Sequence, residues 1–141
     1  MRSPSDLADA FRSSGRKLTP QRERIFRVLH ANPTHPTAEA VHAAVVADMP
    51  SVSLRTVYAT LNDLAEMGEL VQLDLGTGSA RFDPNVSEHH HLVCDECGRV
   101  QDIELAVPSF DIDADAAQGF HVDATQIVLR GRCASCSDPV G

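Results

Sequence analysis

The sequence predicts an α+β chain. A winged helix-turn-helix domain is expected over residues 1–84, and a small α/β domain with a four-cysteine zinc site over residues 85–141. Three observations predict this. Apolar residues recur at helical spacing up to residue 67, and the period then shortens to that of strands. Two CxxC pairs, Cys94/Cys97 and Cys133/Cys136, frame the second half. A unit of about 55 residues buries little apolar surface, so it relies on a metal or on oligomerisation.

The elements follow in order. Ser5 to Phe11 reads as a short amphipathic helix ended by the SSG at 13–15. In LTPQRERIFRVLHANP, Thr19 is an N-cap and Pro20 takes the first helical position, with Ile25, Val28 and Leu29 as the apolar stripe. Thr37 caps TAEAVHAAVVADM, in which Val41, Ala44 and Val45 are expected to face inward. Ser53 opens SLRTVYATLNDLAEMG, with Leu54, Val57, Leu61 and Leu64 on one face and Gly68 as the stop. Leu70 to Leu75, the turn GTGS, and Ala80 to Asp83 then read as a β-hairpin. Helices followed by a two-stranded hairpin make the winged order, and the helix from Ser53 to Met67 is the one expected in the major groove. Past the break at Asp83-Pro84-Asn85, strands are expected at 89–93, 99–105 and 126–129, with an acidic loop or short helix through 108–119.

Charge separates the halves. The formal net charge is −8, yet residues 1–27 hold seven basic side chains against three acidic ones, and residues 71–141 hold four against twelve. A basic leading edge on an acidic chain allows a phosphate-bearing partner in spite of the net charge. Arg16 and Lys17 precede the second helix, and Arg22, Arg24 and Arg27 lie along it. Those of them that are exposed are expected to hold phosphates. Arg55, Thr56 and Tyr58 occupy the first turns of the recognition helix, within reach of base edges. No apolar run approaches the ~20 residues needed to cross a bilayer. The N-terminus lacks the apolar centre of a secretory signal, so a cytoplasmic location without membrane contact is expected.

In a reducing compartment two CxxC pairs are read as metal ligands before disulfides. Four thiolates at about 2.3 Å make the closed, structural type of zinc site. Redox-active dithiols are the competing reading.

The stretch EHHHLVCDECG at 88–98 adds three histidines to the first pair. If 89–93 is extended, His89 and His91 point to one side and His90 to the other. The first two then belong to a site separate from the cysteines. Asp83, Asp102 and His35 are candidates to complete it, and such a mixed nitrogen and oxygen set suits Fe²⁺ or Mn²⁺. Five ligands leave a sixth position open. His30, His42 and His121 read as surface or packing residues.

Taken together and in order, LTPQR (18–22), HPTAEAVH (35–42), SLRTVYATLNDLAEMGEL (53–70), ARFD (80–83), HHHLVCDECGRVQDIE (89–104) and GRCASC (131–136) resemble the ferric uptake regulator (Fur) family of metal-dependent repressors. The resemblance implies a homodimer of winged-helix domains and C-terminal dimerisation domains, closed by metal onto a palindromic operator in double-stranded DNA. It carries the regulatory ligands onto His35, Asp83, His89, His91 and Asp102, and the structural zinc onto Cys94, Cys97, Cys133 and Cys136. Tyr58 matches a DNA-contacting tyrosine.

Asp102 stands where iron-sensing members usually carry glutamate and where peroxide-sensing, PerR-like members carry aspartate. In the latter, bound Fe²⁺ reacts with hydrogen peroxide and a ligand histidine is oxidised; the corresponding positions here are His35 and His89. Many relatives carry a histidine before the second CxxC, where this chain has Ala124-Thr125-Gln126, which counts against a third metal site. The HHH run also resembles nickel-responsive members, in which His90 would be recruited. Outside this class, the same three histidines and two aspartates could serve a small metallohydrolase, or the chain could be a zinc-stapled interaction module.

Overall fold

The structure, a computed structural model, describes residues 1–137, so the last four residues of the expected second domain lie outside the described residues. The chain divides into two compact units, Met1–Ser87 and a second beginning at Glu88.

The first unit contains α1 (Pro4–Ser13), α2 (Pro20–Leu29), α3 (Ala38–Val46), α4 (Leu54–Glu66) and the strands β1 (Val71–Leu73) and β2 (Arg81–Asp83). One device starts all four helices. The hydroxyls of Ser3, Thr19, Thr37 and Ser53 accept the N–H groups of Asp6, Arg22, Ala40 and Thr56, which would otherwise be orphaned at the first turn. Beyond α4, Gly68 takes a positive φ of 75°, and the Glu69 N–H returns to the Leu64 carbonyl. Glycine adopts that left-handed turn without steric cost. Glu69 is then held inside, where its carboxylate accepts the Arg2 N–H at 2.8 Å and ties the N-terminus down.

The core joins Leu7 and Phe11 of α1, Ile25, Phe26 and Leu29 of α2, Val41 and Val45 of α3, and Val57, Leu61 and Leu64 of α4. Phe11 and Phe26 meet edge to face with ring centroids 4.9 Å apart. Phe82 brings β2 onto this core. Three of the expected inward positions differ. Ala44 is exposed, because the buried face of α3 is centred on Ala38, Val41 and Val45, and residue 44 lies about 100° of helical turn from Val45. Val28 on α2 and Leu54 on α4 are only half-buried at the edge of the core, and Phe26 takes the central place on α2.

The second unit is a three-stranded sheet in the order β4-β3-β5, made of β3 (His90–Cys94), β4 (Val100–Ile103) and β5 (Val128–Gly131). β3 and β4 are antiparallel neighbours around the Cys94–Cys97 turn, with His91 opposite Asp102. β5 runs parallel to β3, with His91 beside Val128, so the chain must cross over between β4 and β5. That crossover includes the short α5 (Ala114–Ala117). β5 starts two residues later than expected, where the Ile127 N–H goes to the His90 ring and not to the backbone of β3.

The buried apolar residues of this unit, among those described, are Val93, Cys94 and Val100. Phe110, Ile112, Phe120, Val122 and Leu129 are exposed, Phe120 by 75%.

Candidate metal centres

The β3–β4 turn presents Cys94 and Cys97, and the end of β5 presents Cys133 and Cys136. Parallel pairing of β3 with β5 aligns Cys94 with Gly131, two residues before Cys133. The four sulfurs lie within 4.8 Å of one another, and Cys97 Sγ is 3.8 Å from Cys133 Sγ. Zinc–sulfur bonds of about 2.3 Å at tetrahedral angles require sulfurs roughly 3.8 Å apart, so this donor set fits zinc. The electrostatics also fit a cation. The backbone N–H groups of Cys97 and Cys133 lower the Cys94 thiol to about 6. Hydrogen bonds to Cys133, Cys97 and Cys94 push the Cys136 thiol the other way, upward. Thiolates this close together keep a proton among them unless a positive charge takes its place.

The first unit positions His35 and Asp83. His35 sits in the loop before α3 with a positive φ of 52°, a conformation that costs a residue with a Cβ about 1–2 kcal/mol. β2 holds that loop in place: Phe82 N–H donates to the Pro36 carbonyl at 2.9 Å, and Arg81 Nη1 donates to the His35 carbonyl at 3.2 Å. Asp83, the last residue of β2, lies with its Oδ2 3.2 Å from His35 Nε2, and both side chains are almost fully buried. Asp83 Oδ1 accepts the Asn85 N–H at 2.9 Å. A buried imidazole on a strained loop, facing a buried carboxylate on a strand, is the kind of arrangement that functional sites keep.

The second unit positions His89, His91 and Asp102. His89 and His91 lie on one side of β3 with rings 4.6 Å apart. Asp102 Oδ1 is 3.2 Å from His89 Nε2 and 3.4 Å from His91 Nε2. Two imidazole nitrogens converging on one carboxylate oxygen make a nitrogen and oxygen donor set of the kind that holds a cation. His90 faces the opposite way, its Nδ1 accepting the Ile127 N–H at 3.0 Å. His42 bonds the Val52 carbonyl through Nε2, while His30 and His121 are exposed.

The residues expected at DNA fall into two groups. Arg16 pairs with Asp63 and Glu66, and Arg22 pairs with Asp63 while lying over the Phe11 ring, so both brace α4 against the helices before it. Lys17 and Arg55 are exposed and make no ion pair among the described residues. Thr56 is half-buried beside the Ser53 hydroxyl. Tyr58 is exposed and donates its hydroxyl to Glu39 on α3 at 2.8 Å, which raises the phenol and lowers the carboxyl from their usual ranges. Glu39 was not among the residues expected from the sequence. Its position on the N-terminal turn of α3, 19 residues from Tyr58, gives no sign of the contact.

A capped helical domain with a two-stranded wing, followed by a small sheet carrying four clustered cysteines, defines the winged-helix class with an appended metal-binding unit. Residues 13–130 match the Ferric uptake regulator family. The chain is 33% identical to a peroxide-responsive repressor PerR of Staphylococcus saprophyticus over 136 residues, 94% of this chain and 90% of the relative. Its fold is similar to that of the ferric uptake regulator Fur of Helicobacter pylori, with a TM-score of 0.73 at 21% identity over 94% of this chain and 89% of that one. It is also similar to the peroxide stress regulator of Campylobacter jejuni, with a TM-score of 0.63 at 23% identity over 96% and 100% of the two chains. This chain belongs to the ferric uptake regulator family.

Proposed function

We propose that the chain is a homodimeric, metal-dependent DNA-binding repressor that senses hydrogen peroxide. The observation that carries this reading is the pair of donor sets, His35 with Asp83 in the first unit and His89 and His91 on Asp102 in the second. We take them as two halves of one centre for Fe²⁺ or Mn²⁺. A cation drawing ligands from both units fixes the angle between them, and with it the spacing at which a dimer presents its two recognition helices. Metal binding then becomes operator binding by linkage. Zinc in the cysteine cluster has the separate task of holding the second unit folded.

The exposed Phe110, Ile112, Phe120, Val122 and Leu129 support a dimer, because a unit with so few buried apolar residues gains its remaining burial from a second copy. No helix of the described residues is long and apolar enough to cross a membrane. On the DNA face we assign phosphate contacts to Lys17 and base-edge contacts to Arg55, Thr56 and Tyr58. Arg16 and Arg22 orient α4 and reach phosphate only by sharing Asp63. An Arg55→Ala variant is expected to lose about 1–3 kcal/mol of operator affinity, measured by fluorescence anisotropy. A smaller loss of uniform size on every sequence would make Arg55 a phosphate contact instead.

The peroxide reading rests on relatives named peroxide-responsive repressors and on the aspartate, not glutamate, at 102. Bound Fe²⁺ supplies the redox chemistry by which one oxygen atom of hydrogen peroxide passes to a ligand imidazole while the other leaves as water. His35 and His89 are the imidazoles we expect to be modified. A ring so altered is a poorer donor, the two halves separate, and repression ends. The test is operator binding with Fe²⁺ or with Mn²⁺, before and after a low dose of peroxide, followed by mass spectrometry of the peptides. Release together with one added oxygen on His35 or His89, with Fe²⁺ and not with Mn²⁺, is the expected result. Release by chelation alone, with unmodified histidines, would make the chain an iron- or nickel-level sensor. Hydrolytic turnover without metal-dependent operator binding would make it an enzyme.

A further inference from the structure

Two consecutive residues entering β5 meet two consecutive histidines of β3, and they do so with different hydrogen-bonding capacity. Ile127 offers a backbone N–H to His90 Nδ1 at 3.0 Å. Gln126 places its side-chain amide 3.3 Å from His91 Nδ1. A backbone N–H can only donate. A carboxamide can donate through its nitrogen or, turned by 180°, accept through its oxygen.

We propose that Gln126 and Ile127 sort the two histidines by tautomer, with Gln126 a positioning residue that makes His91 a metal ligand and Ile127 excluding His90. This rests on the metal centre proposed above. An imidazole that ligates through Nε2 must carry its proton on Nδ1, and that proton needs an acceptor. When His91 Nε2 faces Asp102 as a donor, Gln126 satisfies Nδ1 with its NH₂ group. When a cation takes Nε2, the proton resides on Nδ1 and the turned amide receives it with Oε1. One side chain thus serves both states without a shift of the backbone. His90 has no such freedom. Its Nδ1 receives the Ile127 N–H, so the neutral ring keeps its proton on Nε2 and has no lone pair for a metal. Ligation by His90 would cost the Ile127 bond at a residue that is 4% exposed, where water does not easily replace it.

The substitutions follow from this chemistry. Gln126 is itself exposed, so a small residue there would admit water to Nδ1. Leucine covers the ring and accepts nothing, whereas glutamate accepts. With zinc retained in the cysteine cluster, Mn²⁺ titrated into Gln126→Leu is expected to bind roughly tenfold to hundredfold more weakly than to the unaltered chain. Gln126→Glu should keep the original affinity, with thermal midpoint and zinc content unchanged in both. His90→Gln should leave Mn²⁺ affinity intact, and ¹⁵N spectra of the imidazoles should show His90 protonated at Nε2. Equal Mn²⁺ affinity in Gln126→Leu, or failure of glutamate to rescue, overturns the assignment. So does a proton on His90 Nδ1. His91→Ala separates the two levels: if it binds Mn²⁺ as well as the unaltered chain, the proposed centre itself fails; if it loses Mn²⁺ while Gln126→Leu does not, only the sorting fails.

Discussion

Cys133→Ser is expected to strip the chain of zinc and to open the second unit while the helical unit stays folded. Structural zinc in small peptides binds with an apparent ~10–16 kcal/mol near neutral pH. That range overlaps the upper half of the ~5–15 kcal/mol by which whole domains are stable. The second unit has little to set against such a loss. Its described buried apolar residues are Val93, Cys94 and Val100, and Cys94 is itself one of the proposed zinc ligands. The parallel pairing of β3 with β5 must also bear the entropy of closing a long crossover. A cation holding Cys94 and Cys97 at one end of the sheet to Cys133 and Cys136 does that closing. Zinc analysis alongside hydrogen exchange would read the outcome: no bound zinc, and loss of protection at β3 and β5 with α2 and α4 still protected. Retained protection at β5 in a zinc-free chain would make the cysteines redox groups and not a staple. Acidification should do the same as the substitution. In the empty cluster the Cys94 thiol is already lowered to about 6, and bound zinc displaces its proton further, so zinc and the protection it confers are expected to hold above that pH and to be lost below it.

How far the fold could be read from the sequence depended on whether a feature is local. Three of the four helix starts were legible because Thr19, Thr37 and Ser53 act on residues only three positions away, whereas the first helix starts at Pro4 behind Ser3, ahead of the expected Ser5. Gly68 was legible for the same reason, since a left-handed turn after α4 tolerates few residues. Alternation along 89–93 was enough to separate His89 and His91 from His90. Ala44 was misjudged because alanine is apolar but so small that it carries little preference for a core, and periodicity around Val45 had to decide alone. The start of β5 was misplaced because the Ile127 N–H is drawn off by a ring nitrogen 37 residues earlier in the chain. The burial of Arg16 and Arg22 against Asp63 was equally invisible, because a basic run reads the same whether its charges face phosphate or a neighbouring helix. Sequence gives the donors; only the fold gives their partners.

Alanine at His35 and alanine at His91 should each abolish Mn²⁺-dependent operator binding, and the double substitution should be no worse than either. This pattern is the sharpest test of a single cation shared by the two units. If His35 with Asp83 and His89 with His91 and Asp102 were independent sites, their losses would add, as they do for separated groups. Ligands of one ion do not add. Removing the first donor already leaves a set too poor to hold the metal at working concentration, so the second removal has little left to destroy. Each single change is expected to weaken Mn²⁺ by at least about a hundredfold, or ~2.7 kcal/mol, since a ligand is lost where even an outer partner is worth 10–100-fold. The measurement is a cycle of four proteins, with Mn²⁺ affinity by titration and operator affinity with and without Mn²⁺. Zinc content serves as the control, because neither histidine belongs to the cysteine cluster. Additive losses would divide the proposed centre into two. An unaffected His35→Ala would make the His35–Asp83 pair a structural brace for the wing, consistent with Arg81 and Phe82 holding the same loop, and would confine metal sensing to the second unit.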